Sequence, residues 1–192
     1  YKKARKLVIR CFFSGDELAG ASLLDPDQHR FHDVTHRDDI AALIEKCDVI
    51  LGLDPWYDLE RLAIPMETKR LVDLSPPVKQ MRPEWSNRTF RITARHMIKD
   101  TLEIGSPLAR PKDLKAQVKK GNQGRLFRRL RSDLVALWRL FEYGCLHGYV
   151  LFKSQCLSVY WNFGCLEKIT TTLDRALERQ HEIEVVIGSA PG

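Results

Sequence analysis

A chain of 192 residues, 44% hydrophobic and 29% charged, suits one domain, or one domain with a small extension, around a proper core. No apolar run reaches the ~18 residues of a membrane-crossing helix, and the basic start lacks a signal-peptide core, so an intracellular protein, cytoplasmic or nuclear, is expected. The net charge of +6 is unevenly placed along the chain.

The chain opens on Tyr1 and not on Met, which reads as an excised or processed piece. Residues 6–13 predict a strand, closed by a turn at Ser14, Gly15 and Asp16. Residues 17–21 predict a helical turn, and Leu23 and Leu24 a short strand ending at Asp25-Pro26-Asp27. Residues 31–35 predict a weak strand. Asp38 and Asp39 then suit the positive N-terminus of a helix in which Ile40, Leu43, Ile44 and Cys47 share a face. Residues 48–53 are almost wholly apolar, as in a strand covered on both faces. A short helix follows over residues 59–63, and a buried strand over residues 70–74. Strand, helix, strand, helix, strand in this order predicts parallel pairing with right-handed crossovers.

Residues 76–111 are rich in Pro and Gly, with one more strand expected at residues 89–93. Ser132 and Asp133 read as the cap of an amphipathic helix carrying Leu134, Leu137, Trp138, Phe141 and Cys145 on one stripe, with Gly144 and Gly148 ending or loosening it. Residues 151–163 are aromatic and apolar, and periodicity leaves helix and strand both open there. A polar-faced helix over residues 167–180 leads into a β-branched strand at residues 184–187.

Three groups of residues bear on chemistry. Residues 110–131 hold nine basic side chains: Arg110, Lys112, Lys115, Lys119, Lys120, Arg125, Arg128, Arg129 and Arg131. Asp113 is the one acid among them. Lys112, Lys115, Lys119, Lys120, Arg125, Arg128, Arg129 and Arg131 are the candidate RNA-binding residues, because basic side chains neutralise phosphates. The competing reading is a solvated helix face. Asp25, Asp33, Asp54 and Asp73 follow predicted strands, where ligands of open parallel sheets bind. Aspartate is also a common turn former there. His29, His32 and His36 lie among five acids, but their spacing matches no dependable zinc signature, and no metal site is assigned. The five cysteines are scattered and form no Cys-x-x-Cys pair, which suits reduced, buried thiols.

The C-terminal Glu184-Val185-Val186-Ile187-Gly188-Ser189-Ala190-Pro191-Gly192 resembles the first motif of Rossmann-fold methyltransferases that use S-adenosylmethionine. It is most similar to FtsJ-type ribosomal RNA 2′-O-methyltransferases and the poxvirus cap 2′-O-methyltransferase. The resemblance implies that Gly188, Ser189, Ala190, Pro191 and Gly192 cradle the methionine end of the cofactor. It implies that Asp25 holds the ribose, that Asp33 lies near the adenine, and that Asp54 sits beside the transferred methyl. Lys168 falls where the family carries its first catalytic lysine. The glycine loop comes last in this chain, as in circularly permuted families, and Asp54-Pro55-Trp56 is one proline short of their Asp-Pro-Pro-Trp motif.

The resulting expectation is an α/β chain with a Rossmann-like parallel sheet and a helical, basic C-terminal half. Residues 1–80 form the Rossmann-like segment and residues 81–131 an irregular basic connector. Residues 132–192 form a helical segment whose terminal strand and glycine loop return to the sheet. The leading function is S-adenosylmethionine-dependent methyl transfer to RNA, 2′-O in type. One alternative is a non-catalytic Rossmann-like module binding RNA or a protein within a larger assembly. Another is a degenerate nicotinamide-dinucleotide domain, although residues 14–20 lack the Gly-x-Gly-x-x-Gly that cradles a diphosphate.

Overall fold

Leu7, Ile9 and Cys11 alternate with Val8, Arg10 and Phe12, and five of these six are apolar. A strand with that pattern must be covered on both faces. In the computed structural model, residues 4–65, 70–75, 87–105, 108–153 and 155–159 are described, and of residues 87–93 the backbone alone. All of them belong to a compact unit spanning residues 1–161.

Strand β1 (Lys6–Ser14) is the middle of a five-stranded sheet of order β3-β2-β1-β4-β5. β2 (Glu17–Asp25) pairs antiparallel with β1 and with β3 (Arg30–Val34). β4 (Val49–Gly52) pairs parallel with β1, and β5 (Arg70–Asp73) parallel with β4. Helix α1 (Arg37–Glu45) connects β3 to β4, and α2 (Pro55–Arg61) connects β4 to β5. The sheet is therefore mixed. The parallel half expected of residues 48–74 is present, but the N-terminal half is an antiparallel meander. The expected helical turn at residues 17–21 is the start of β2. Gly15 at φ +69° makes a two-residue turn, and the chain returns at once to pair Ser14 with Glu17. That ladder satisfies backbone groups a single helical turn would leave open.

The two faces of β1 bury different partners. Leu7, Ile9 and Cys11 join Ala21 and Leu23 of β2, Ile40 and Ile44 of α1, and Leu59 and Leu62 in one apolar cluster. Phe12 packs on the other face against Leu114, Leu126 and Leu130. Those leucines belong to α4 (Pro111–Lys119) and α5 (Gln123–His147), a helical hairpin whose turn is made by Gly121 at φ +64°. Asn122 caps α5 by accepting a hydrogen bond from the Arg125 N–H at 3.1 Å. Helices thus cover both faces of the sheet.

α5 is longer than expected. It begins ten residues before Asp133, which is mid-helix and 1% exposed. Its buried residues Leu126, Leu130, Asp133, Leu134, Leu137, Leu140, Phe141 and Gly144 repeat at helical spacing over 25 residues. Gly148 ends it in the left-handed region at φ +72°. Residues 89–93, expected as a strand, lie within α3 (Asn87–Leu102). The expected irregular connector thus contains α3, α4 and the first turns of α5.

After α5 the chain forms a hairpin of β6 (Tyr149–Phe152) and β7 (Gln155–Ser158). Thr101 of α3 holds it: its hydroxyl donates to the Leu151 carbonyl at 3.2 Å and accepts from the Leu151 N–H at 2.9 Å. So within the ambiguous stretch, residues 151–152 and 155–158 are strand. The expected helix at residues 167–180, Lys168, the terminal strand and residues 188–192 lie outside the described residues.

Candidate functional site: the basic helical hairpin and the carboxylates of the sheet

The strand-end carboxylates separate by direction. β2 runs against β1, and Leu24 pairs with Val8 near the start of β1. Asp25 therefore lies at the sheet end where β1 begins. Asp54 follows the carboxyl end of β4 and Asp73 is the last residue of β5, both at the other end. Asp25 is 5% exposed, and its Oδ1 accepts the N–H groups of Asp27 at 3.1 Å and Gln28 at 3.0 Å. Its Oδ2 accepts from Arg5 at 3.4 Å. This is the turn-forming role of a short acid, and it closes the β2–β3 hairpin.

Asp54 adopts a left-handed conformation, φ 54° and ψ 55°, at the N-cap of α2. Its N–H donates to Asp73 Oδ1 at 2.9 Å, and Ser75 donates to the same oxygen from its N–H and its hydroxyl. Asp58, which the sequence reading missed, is buried on α2 and accepts the Cys11 N–H at 3.4 Å. Its negative charge and burial together push the Cys11 thiol well above its ordinary range, burial being the larger cause. Trp56 and Tyr57 lie in the first turn of α2, 61% and 48% exposed. Arg61 sits over the Phe13 ring at 4.0 Å and near Tyr57 at 5.7 Å.

Asp33 is held elsewhere. The Ser22 hydroxyl donates to it at 2.8 Å, and Arg131 of α5 donates through Nε at 3.1 Å and through a second nitrogen. The pair is bidentate, and its hydrogen bonds raise the Arg131 pKa further. Arg131 also lies 5.6 Å from the Phe31 ring. It therefore fastens α5 to the edge strand β3, and differs from its basic neighbours. His32 faces Leu23 across the ladder, and burial, followed by the Arg30 charge, lowers its pKa. His29 makes the turn at φ 52°. Among the described residues no cluster of three His, Cys, Asp or Glu side chains could hold a metal ion.

The basic residues come together. Arg110, Lys112, Lys115, Lys119, Lys120, Arg125, Arg128, Arg129 and Arg131 are all exposed. Leucines at helical spacing bury the inner face of the α4–α5 hairpin, and amphipathic geometry then turns the cations outward. Between the helices lies a groove of about 550 Å³, lined by Asp113, Ala116 and Gln117 of α4 and Arg125, Arg128, Arg129 and Ser132 of α5. Three guanidinium groups face one carboxylate there. The Ser132 hydroxyl is turned to the Arg128 carbonyl at 3.0 Å.

Asp133 and Arg10 anchor this hairpin, and neither was singled out from the sequence in that role. Asp133 accepts from Arg10 at 3.4 Å and from the Ala109 N–H at 2.8 Å. Burial raises its pKa, and Arg10 offsets the rise in part. A signal existed: Asp133 interrupts the apolar series Leu126, Leu130, Leu134, Leu137, where a charge needs a partner.

Cys11 and Cys47 are buried, Cys145 is partly buried and Cys156 is exposed; no disulfide joins the described cysteines. Burial and Glu142 push the Cys145 thiol up to about 12. No described helix is long and apolar enough to cross a membrane. Comparison with family models, curated proteins and solved structures found no match to this chain.

Proposed function

We propose that this α/β unit is an RNA-binding module whose contact surface is the outer face of the α4–α5 hairpin. One observation carries the reading: eight cations of residues 110–129 are all exposed on a hairpin pinned by buried leucines, with Asp113 as the single acid. A solvated helix face of ordinary composition mixes both signs. A one-signed, rigidly mounted face attracts a polyanion, and phosphate contacts supply sequence-independent affinity.

Methyl transfer from S-adenosylmethionine would rest on residues 188–192 and Lys168, outside the described residues. It would also need Asp25 and Asp54 on one cofactor, and they stand at opposite ends of the sheet. The hairpin reading needs neither, and it holds for a binding module of a larger assembly as well as for part of an enzyme.

The test is binding of a fluorescent single-stranded RNA as salt is varied. If about four side chains neutralise phosphates, log K falls with log salt at a slope near −3, at ~0.7 per phosphate. Changing Lys119, Lys120, Arg128 and Arg129 together to Glu should abolish binding and leave the circular dichroism spectrum unchanged. Undiminished binding by a folded quadruple variant would overturn the proposal.

A further inference from the structure

Gln117 lines the groove between α4 and α5, and its side-chain oxygen is a polar group that nothing among the described residues satisfies. Gln117 Oε1 is shut off from solvent and accepts no hydrogen bond. The buried carboxylates Asp25 and Asp133 are engaged, Asp25 by two backbone N–H groups and Arg5, Asp133 by Arg10 and Ala109. A buried acceptor without a donor opposes folding, so its retention calls for a donor from outside, an ordered water or a bound ligand. The lining residues describe the rest of that donor. Arg125, Arg128 and Arg129 offer forked N–H groups suited to a phosphate. A phosphate alone does not satisfy Gln117, because its oxygens accept hydrogen bonds. The occupant must carry an anion and, a short distance away, an O–H or N–H.

We propose that the groove takes one ribonucleotide unit of a bound RNA strand, its phosphate on Arg125, Arg128 and Arg129 and its ribose 2′-hydroxyl donating to Gln117 Oε1. The inference rests on the RNA-binding reading and makes it selective for RNA over DNA. The 2′-hydroxyl is the group that separates the two polymers, and it is both donor and acceptor. The groove volume of about 550 Å³ falls within the ~300–1,000 Å³ of small-ligand sites. Reaching the buried oxygen requires the long, exposed side chains of Arg125, Arg128 and Arg129 to move onto the phosphate and uncover the Gln117 amide. A strand is favoured over a free nucleotide because the exposed cations continue beyond the groove's lining to Lys119 and Lys120.

The test uses the full chain and one oligonucleotide sequence in three forms: ribose, 2′-fluoro and deoxyribose. The 2′-fluoro sugar keeps a ribose-like pucker and lacks the donor. The parent should bind the ribose form about five- to tenfold more tightly than the 2′-fluoro form, the worth of one net hydrogen bond. Gln117→Met should bind all three forms equally, at the parent's affinity for the 2′-fluoro form, with the salt slope unchanged. Equal binding of the ribose and 2′-fluoro forms by the parent would overturn the inference and leave RNA binding standing. So would a Gln117→Met protein that keeps the preference. No RNA binding by the parent would overturn both. Displacement of the strand by ribonucleoside 5′-monophosphate as readily as by unlabelled RNA would give the groove to a free nucleotide and overturn the strand assignment.

Discussion

Burial of Asp133 sets two energies against each other. Its carboxylate sits beneath α5 at 1% exposure, bonded to Arg10 and to the Ala109 N–H. The raised pKa says that desolvation outweighs those partners for the charged form. A carboxyl group with a raised folded-state pKa binds its proton more tightly folded than unfolded. Its contribution to stability therefore falls as pH rises from the ordinary aspartate range through the raised value. Asp133→Asn, which does not titrate, should remove that fall: parent and variant unfolding free energies should diverge to the parent's disadvantage across that window in urea melts. Asp133→Ala has no acceptor left for Ala109 and no partner for Arg10, and should cost about 2–3 kcal/mol at neutral pH. A variant as stable as the parent would show that the polar contacts are dispensable. The same scale separates Asp25 from Asp54 and Asp73. All three stand at strand ends, yet Asp25 closes a turn, whereas the Asp54 N–H donates to Asp73 at the carboxyl ends of β4 and β5.

Between elements, the close contact of α5 with the sheet depends on Gly20. It faces Phe12 across the ladder, and a Cβ built there would lie 3.0 Å from Phe127 Cε1 and 3.3 Å from Leu126 Cδ2. The first turns of α5 approach β2 that closely because no side chain intervenes. Gly20→Val should cost about 1–3 kcal/mol by overpacking. Phe127→Leu in the same chain should recover part of that loss, since the ring is the nearest obstacle. Non-additivity of the two changes in a thermal-melting cycle is the readout, and strict additivity would place the strain elsewhere. Helix α1 shows a different economy. His36 caps it without a side-chain hydrogen bond, so Asp38 and Asp39 near the positive end and the buried Ile40 and Ile44 carry its placement.

At the scale of the molecule, two classes of basic residue among the described residues serve different ends. Arg131 joins α5 to Asp33 of the edge strand β3, and Arg10 joins β1 to Asp133. Arg128 and Arg129 line the open groove. Arg131→Met should lower the melting temperature and leave the salt slope of RNA binding within error of the parent's. Arg128→Met should do the opposite: little change in melting, and a slope shallower by about 0.7. A slope change on Arg131→Met without a stability change would mean that the Asp33 pair opens to bind phosphate. Because the α4–α5 hairpin packs by Leu114, Leu126 and Leu130 against Phe12 of the central strand, the charged face is mounted on the core and not on a free arm.

Much of this architecture is written in local pattern. The apolar run at residues 48–53, the acids before Ile40 and the periodic leucines from residue 134 are local facts, and each became the expected kind of element; the one-signed block at residues 110–131, expected as an irregular connector, is helical over most of its length. Periodicity and charge read correctly in the first three because burial acts on a repeat within one element. Strand direction did not follow. A run such as Leu23-Leu24-Asp25 looks the same whether its neighbour runs with it or against it, and only the register of β2 on β1 puts Asp25 at the far end from Asp54. Asp133 read as a helix cap because Ser-Asp before leucines fits one. The ten residues that carry the helix further back fold onto Phe12 and Gly20, partners more than a hundred positions away. The sequence by itself determined which faces are apolar and where positive charge gathers, since both depend on spacing along the chain. The tertiary structure alone decided which acids and cations meet, since hydrogen bonds such as Arg131 to Asp33, Arg10 to Asp133 and Asp54 to Asp73 join groups whose separation in sequence carries no information about their separation in space.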